Sequence, residues 1–180
     1  MPIFLVGLTG VIEFGLLFSA QLSINYASRD AALIAAESGN QDGADCMVLQ
    51  KVEQDVGPPA ERQQIQSVTI SWTDENGTVK VIGGVPASNV WQRTGSTVCD
   101  LVSGTVTLPY TQVTDNYPEV DRCNILAGCP TPHDAGVDTI AVDITYQYNF
   151  HTPLGALVIS SGATGWPLEQ SNAMRMEPVL

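Results

Sequence analysis

The chain has 180 residues, with 7 basic against 19 acidic side chains and a formal charge of −12. That balance excludes a nucleic-acid partner held through a basic patch, because neutralising phosphates requires Lys and Arg in excess. At 44% hydrophobic and 14% charged residues, the chain is also too apolar and too weakly charged for intrinsic disorder. The charge is unevenly placed. Across residues 1–28 the only charged side chain is Glu13; every base and all other acids follow it.

The opening run MPIFLVGLTGVIEFGLLFSAQLSINYAS is long enough to cross a bilayer, since a helix rises about 1.5 Å per residue and the apolar core needs about 20 residues. It passes without a break into Arg29-Asp30-Ala31-Ala32-Leu33-Ile34-Ala35-Ala36, which is helix-forming sequence. One helix is therefore predicted over 3–38, stopped by Gly39-Asn40. No Lys or Arg precedes the apolar run, whereas a signal peptide or an inward-facing anchor carries them there. The segment is thus expected to follow a basic leader removed by processing.

Glu13 is the informative residue of this run. A carboxylate at the bilayer centre costs several kcal/mol unless a proton or a cation accompanies it. Two readings follow: a neutral glutamic acid facing another helix, or an ion pair with a cation on a neighbouring subunit, such as a free N-terminal amine, when the helices bundle. Gly7, Gly10 and Gly15 offer small surfaces for close helix packing, although glycine is common in membrane helices generally.

Downstream, Val48 or Leu49, Val52 and Val56 fall at helical spacing, and Gly57-Pro58-Pro59 ends that second, short helix. Val68, Ile70 and Trp72 alternate with polar residues, then Asp74-Glu75-Asn76-Gly77 reads as a turn and 78–82 as a returning strand. Residues 104–113 form another predicted strand, with Pro109 marking an edge or bulge. Residues 115–135, which hold Pro118, Pro130, Pro132, Gly128 and two cysteines, read as an irregular surface loop, the place to meet a cell or surface target. From Ile140 to Phe150 every even position is apolar or aromatic, the mark of a half-buried strand. A last strand is expected over 168–177. The fold class is α+β: a long apolar helix over 1–39, then a head domain over 40–180 with an antiparallel sheet and a short second helix.

Cys46, Cys99, Cys123 and Cys129 all lie outside the apolar run and form no Cys-x-x-Cys pair. Four cysteines allow three connectivities; the short Cys123–Cys129 loop favours local closure, which leaves Cys46 for Cys99. Free thiols in a reducing compartment are the alternative, and the membrane segment favours the oxidising one. Chemistry-bearing patterns are sparse. His133 and His151 stand alone, the acids Asp115, Glu119, Asp121, Asp134 and Asp138 lack a calcium-loop register, and no phosphate-binding glycine loop is present. These features give no catalytic, metal or cofactor site, so no enzyme and no cofactor are expected.

The run Gly10-Val11-Ile12-Glu13-Phe14-Gly15, followed by Phe18 and by 27–36, resembles the TadE/TadG-like pilins and pseudopilins of tight-adherence, type IV-like pilus systems. Val142-Asp143-Ile144-Thr145-Tyr146-Gln147-Tyr148, Thr152-Pro153-Leu154 and Ala173-Met174-Arg175-Met176-Glu177 are similar to the closing strands of that group. The resemblance covers roughly the first 38 and last 45 residues. It implies a prokaryotic cell-surface filament, prepilin-type processing, no enzymatic activity, and assembly through Glu13, Gly7, Gly10, Phe14, Gly15 and Phe18. The expected function is a structural subunit that is anchored in the inner membrane before assembly and then forms a helical homo-oligomer, helices inside and acidic heads outside. The alternative is a membrane-anchored binding module, or a minor pseudopilin that assists assembly or adhesion.

Overall fold

The computed structural model describes residues 2–101, 104–124, 129, 136–152 and 165–176. Helix α1 runs Pro2–Ser38, about 55 Å at the standard rise. Gly39 ends it with φ of 62°, and a Cβ there would stand 2.6 Å from Asn124 Nδ2, so the stop needs glycine both for its left-handed backbone and for space. Helix α2, Ala44–Asp55, buries Val48, Leu49 and Val52. Glu119 holds its start, its carboxylate accepting the Gly43 N–H at 2.7 Å and the Asp45 N–H at 2.6 Å. These are donors that the helix itself leaves unpaired.

The head is built on a five-stranded antiparallel sheet in the order β7-β4-β1-β8-β9. Its strands are β1 (Ile65–Thr73), β4 (Ser88–Gln92), β7 (Thr111–Asp115), β8 (Thr139–Tyr148) and β9 (Trp166–Arg175). In β8 the even residues Ile140, Val142, Ile144, Tyr146 and Tyr148 are all buried. They face α1, which lies across β8 and β9 with α2 at its side. Ser28 fixes the crossing by donating to the Val142 carbonyl at 2.7 Å, and Asn172 on β9 reaches the same hydroxyl. The odd residues of β8 form the opposite, more polar face.

Three predicted elements differ from the structure. The turn at 74–77 forms, with Asp74 Oδ1 accepting the Asn76 and Thr78 N–H groups, but 78–82 does not return along β1 as a strand. Only Thr73 and Val79 bridge. Both flanks of β1 are taken by β4 and β8, and Gly83 and Gly84, each at positive φ, fold β2 (Val81–Ile82) onto β3 (Val85–Pro86) as a separate hairpin. The strand predicted over 104–113 is two strands in two sheets. β6 (Gly104–Leu108) pairs with β5 (Thr97–Leu101), and β7 begins after Pro109, which has no N–H to continue a ladder. The last strand starts at Trp166, and Glu177 lies outside the described residues.

Both disulfides are local to the head. Cys46 of α2 bonds Cys99 of β5 across a Cα separation of 5.8 Å, tying helix to hairpin, and Cys123 bonds Cys129.

Candidate functional site

Helix α1 presents two faces along most of its length. The side carrying Glu13, Ala20, Ile24, Ala27, Ala31 and Ala35 is buried in the head. The opposite side, at i, i+7, i+14, i+18 and i+29 from Phe4, carries Phe4, Val11, Phe18, Leu22 and Leu33, all exposed. Exposure is 70% at Phe4, 72% at Val11, 70% at Phe14 and 55% at Phe18. So continuous an apolar surface marks an interaction face. Gly7 and Gly15 are exposed and Gly10 half-buried, and a methyl added at Gly7 or Gly15 would meet nothing else among the described residues. Their smallness therefore serves no packing within the described chain. Phe4–Ser38 is, among the described residues, the one helix long and apolar enough to cross a membrane.

Glu13 points away from this stripe, into the head, and is only 5% exposed. Its Oε1 accepts the Tyr148 hydroxyl at 2.9 Å and the His151 N–H at 3.0 Å, and its Oε2 accepts the Thr152 N–H at 2.8 Å. Strand β8 supplies Tyr148 at its last position, and the chain then turns beneath the helix so that two successive amides face one carboxylate. Phe150 and His151 pack edge-on to the Tyr148 ring at 5.6 and 5.9 Å. Burial, and then the Glu13 charge, push the Tyr148 hydroxyl well above its ordinary value, which keeps it a donor. Sequence reasoning set Glu13 against a helix or a cation of a neighbouring subunit. In the structure its partners are neutral donors of its own chain, more than 130 residues downstream, a separation that no local pattern spans.

A second buried polar cluster went unread in the sequence. Arg122 is fully buried and ion-paired with Asp45, whose other oxygen accepts Asn89 Nδ2 at 2.8 Å and Trp91 Nε1 at 3.2 Å. Tyr117 lies under the Arg122 guanidinium, donates its hydroxyl to Asp138 at 2.7 Å and donates its backbone N–H to Asn89 Oδ1. Burial followed by the Asp138 charge raises the Tyr117 hydroxyl strongly. The cluster joins α2, β4 and the start of the loop that the Cys123–Cys129 bond closes. It orders that segment rather than offering a reactive group, and Glu119 is likewise committed to the start of α2. Among the described residues no group of three or more His, Cys, Asp or Glu side chains could hold a metal ion. Residues 125–128 and 130–135, with His133 and Asp134, lie outside the described residues, so the second part of the expected target-binding loop, apart from Cys129, does too.

Residues 1–33 match the family model described as TadE-like protein. No curated protein and no solved structure matches the chain. The matched segment is α1 as far as Leu33 and contains Glu13, the three glycines and the exposed stripe.

Proposed function

We propose that this chain, TadE-like over its first 33 residues, is a structural subunit of an extracellular Tad-type filament. The observation that carries the reading is the exposed face of α1. Its apolar stripe continues past Glu13 and alongside the acidic head as far as Leu33, where a second protein surface would have to cover it. Before assembly the same helix anchors the chain in the inner membrane. In the filament the helices bundle inside, with Gly7, Gly10 and Gly15 allowing close approach and Phe14 and Phe18 filling the gaps.

Glu13 acts in assembly by holding the head at a fixed rotation about α1. With both oxygens bonded to the 148–152 segment, every copy displays its stripe at the same angle, as a helical lattice requires. A disulfide-stapled head suits the oxidising exterior.

Electron microscopy of detergent-free material tests this. The wild-type chain should yield fibres, and Phe18→Glu should abolish them while the protein still fractionates with membranes. A wild-type chain that stays membrane-bound and never forms fibres would instead favour an anchored binding module.

A further inference from the structure

The end of the head from which α1 emerges carries an exposed tryptophan. Of the three in the chain, Trp72 and Trp91 are buried, whereas Trp166, the first residue of β9, is 47% exposed. Trp166 stands opposite Tyr148, the last residue of β8. It therefore shares the α1 face of the sheet with the hydroxyl that holds Glu13.

Its height and flank along α1 follow from one hydrogen bond higher up. Asn25 Nδ2 donates to Gln170 Oε1 at 2.9 Å, which sets that side of the helix beside β9. Four residues down β9 from Gln170 is Trp166, about 13 Å lower. Eleven residues down α1 from Asn25 is Phe14, about 16 Å lower and within about 20° of the same face. Phe14 is exposed, so an indole and a phenyl ring lie uncovered at one level on one flank. The exposed charged pair at this end, Glu61 and Arg62, leads into β1, and β8 lies between β1 and β9.

We propose that before assembly the base of the head sits in the headgroup layer of the bilayer, with Trp166 and Phe14 as an aromatic collar at the depth of Glu13. An indole joins an apolar body to an N–H and collects where one end is dry and the other wet. The occupant is lipid because this surface is continuous with α1 below Glu13, the exposed apolar end of the helix able to cross a membrane. The layer is about 5–7 Å thick on each side, enough to take Phe18, one helical turn above Phe14. Glu13 then lies at the edge of the hydrocarbon and not at its centre, carried there by Tyr148 and the His151 and Thr152 amides. The midplane cost of a carboxylate does not arise. The inference rests on the anchored stage of the filament reading and adds the depth and the lipid contacts of the head.

The test is lipid quenching of tryptophan emission, with the full chain reconstituted in phosphatidylcholine and phosphatidylglycerol vesicles brominated either near the headgroup or near the chain ends. Trp91 and Trp72 pair at the levels of Ile144 and Ile140, about 13 and 26 Å above Trp166 at the strand rise, and act as unquenched internal references. Shallow bromines should lower wild-type emission by up to about a third, the share of one indole in three, and deep bromines much less. Trp166→Phe should melt as the wild type does and lose this response, and adding Phe14→Trp to it should restore the response. Equal quenching of wild type and Trp166→Phe, stronger quenching by deep bromines, or no restoration by Phe14→Trp overturns the collar. So does a chain that floats with the vesicles while its emission responds to aqueous iodide and to neither bromine. A chain that does not float with the vesicles overturns the anchored stage as well.

Discussion

The lower and upper halves of α1 are both apolar, and they differ in where bulk is placed. Below Glu13 the large side chains Phe4, Leu5, Val6, Leu8, Val11 and Ile12 are exposed all round. Above it, the buried seam is built almost wholly from alanine, at 20, 27, 31, 32, 35 and 36, with Ile24 the one large member. The outer face carries large side chains, Phe18, Leu22, Tyr26 and Leu33, while Leu16, Leu17 and Ile34 are half-buried at the edges of the seam. Small residues let the helix lie close on β8, β9 and α2, so side-chain size, more than hydrophobicity, separates the docked face from the displayed one.

The harshest way to break this comparison is truncation. Removing residues 1–28 takes Ala20, Ile24, Ala27 and the Ser28 bond out of the core. Burial losses of about 2–5 kcal/mol for an isoleucine alone are large against the roughly 5–15 kcal/mol that holds a domain folded. That fragment should be unfolded by circular dichroism, whereas a fragment starting at residue 13 should melt cooperatively. Equal folding of the two would remove the distinction between the halves.

Single substitutions sharpen it. Ala31→Leu overfills the seam and should destabilise by about 1–3 kcal/mol in urea titration, while Leu33→Ala, two positions on and facing outward, should change stability by no more than about 0.5 kcal/mol. Glu13→Gln replaces one of two accepting oxygens with an amide that must face an N–H. It should lower stability by about 1–3 kcal/mol and accelerate hydrogen exchange at the His151 and Thr152 amides; unchanged exchange there would mean the seat is not occupied in solution.

Gly7→Ala and Gly15→Ala separate folding from assembly. Each should stabilise the helix by roughly 0.5–1 kcal/mol yet reduce fibre yield, because the added methyl meets only a neighbouring copy. The smallest effect is expected at Asp143, whose carboxyl is raised first by burial and then by the Glu169 charge, with the Ser171 hydroxyl opposing. A folded-state value above the unfolded one means that its share of stability is full at low pH and declines as pH rises through the folded value. Asp143→Asn should flatten that decline and gain about 0.5 kcal/mol at neutral pH, measured as melting temperature against pH.

What was legible in the sequence was periodic or punctuated: the helix to Ser38 from its uninterrupted run, its stop from Gly39, and β8 from strict alternation. The short strands were not. β4 buries Ser88 and Asn89 beside Trp91, and Asn89 is inside because Asp45 and Tyr117 satisfy it, a reason that exists only once α2 and the 115–124 segment have come together. The hairpin at 81–86 was missed because the strand it was expected to join had its two partners elsewhere in the chain. At the candidate site, the sequence singled out Glu13 by its isolation but could not supply Tyr148, His151 and Thr152, which share no motif with it.

The most direct measurement places a photo-crosslinking residue at Phe18, on the outward face level with the head, and identifies what it captures in assembled material. Adducts to the α1 helix or the head of a second copy are the expected result. Adducts to lipid alone, or none beyond the parent chain, would show that the displayed face of α1 meets no neighbouring subunit and would contradict the filament reading.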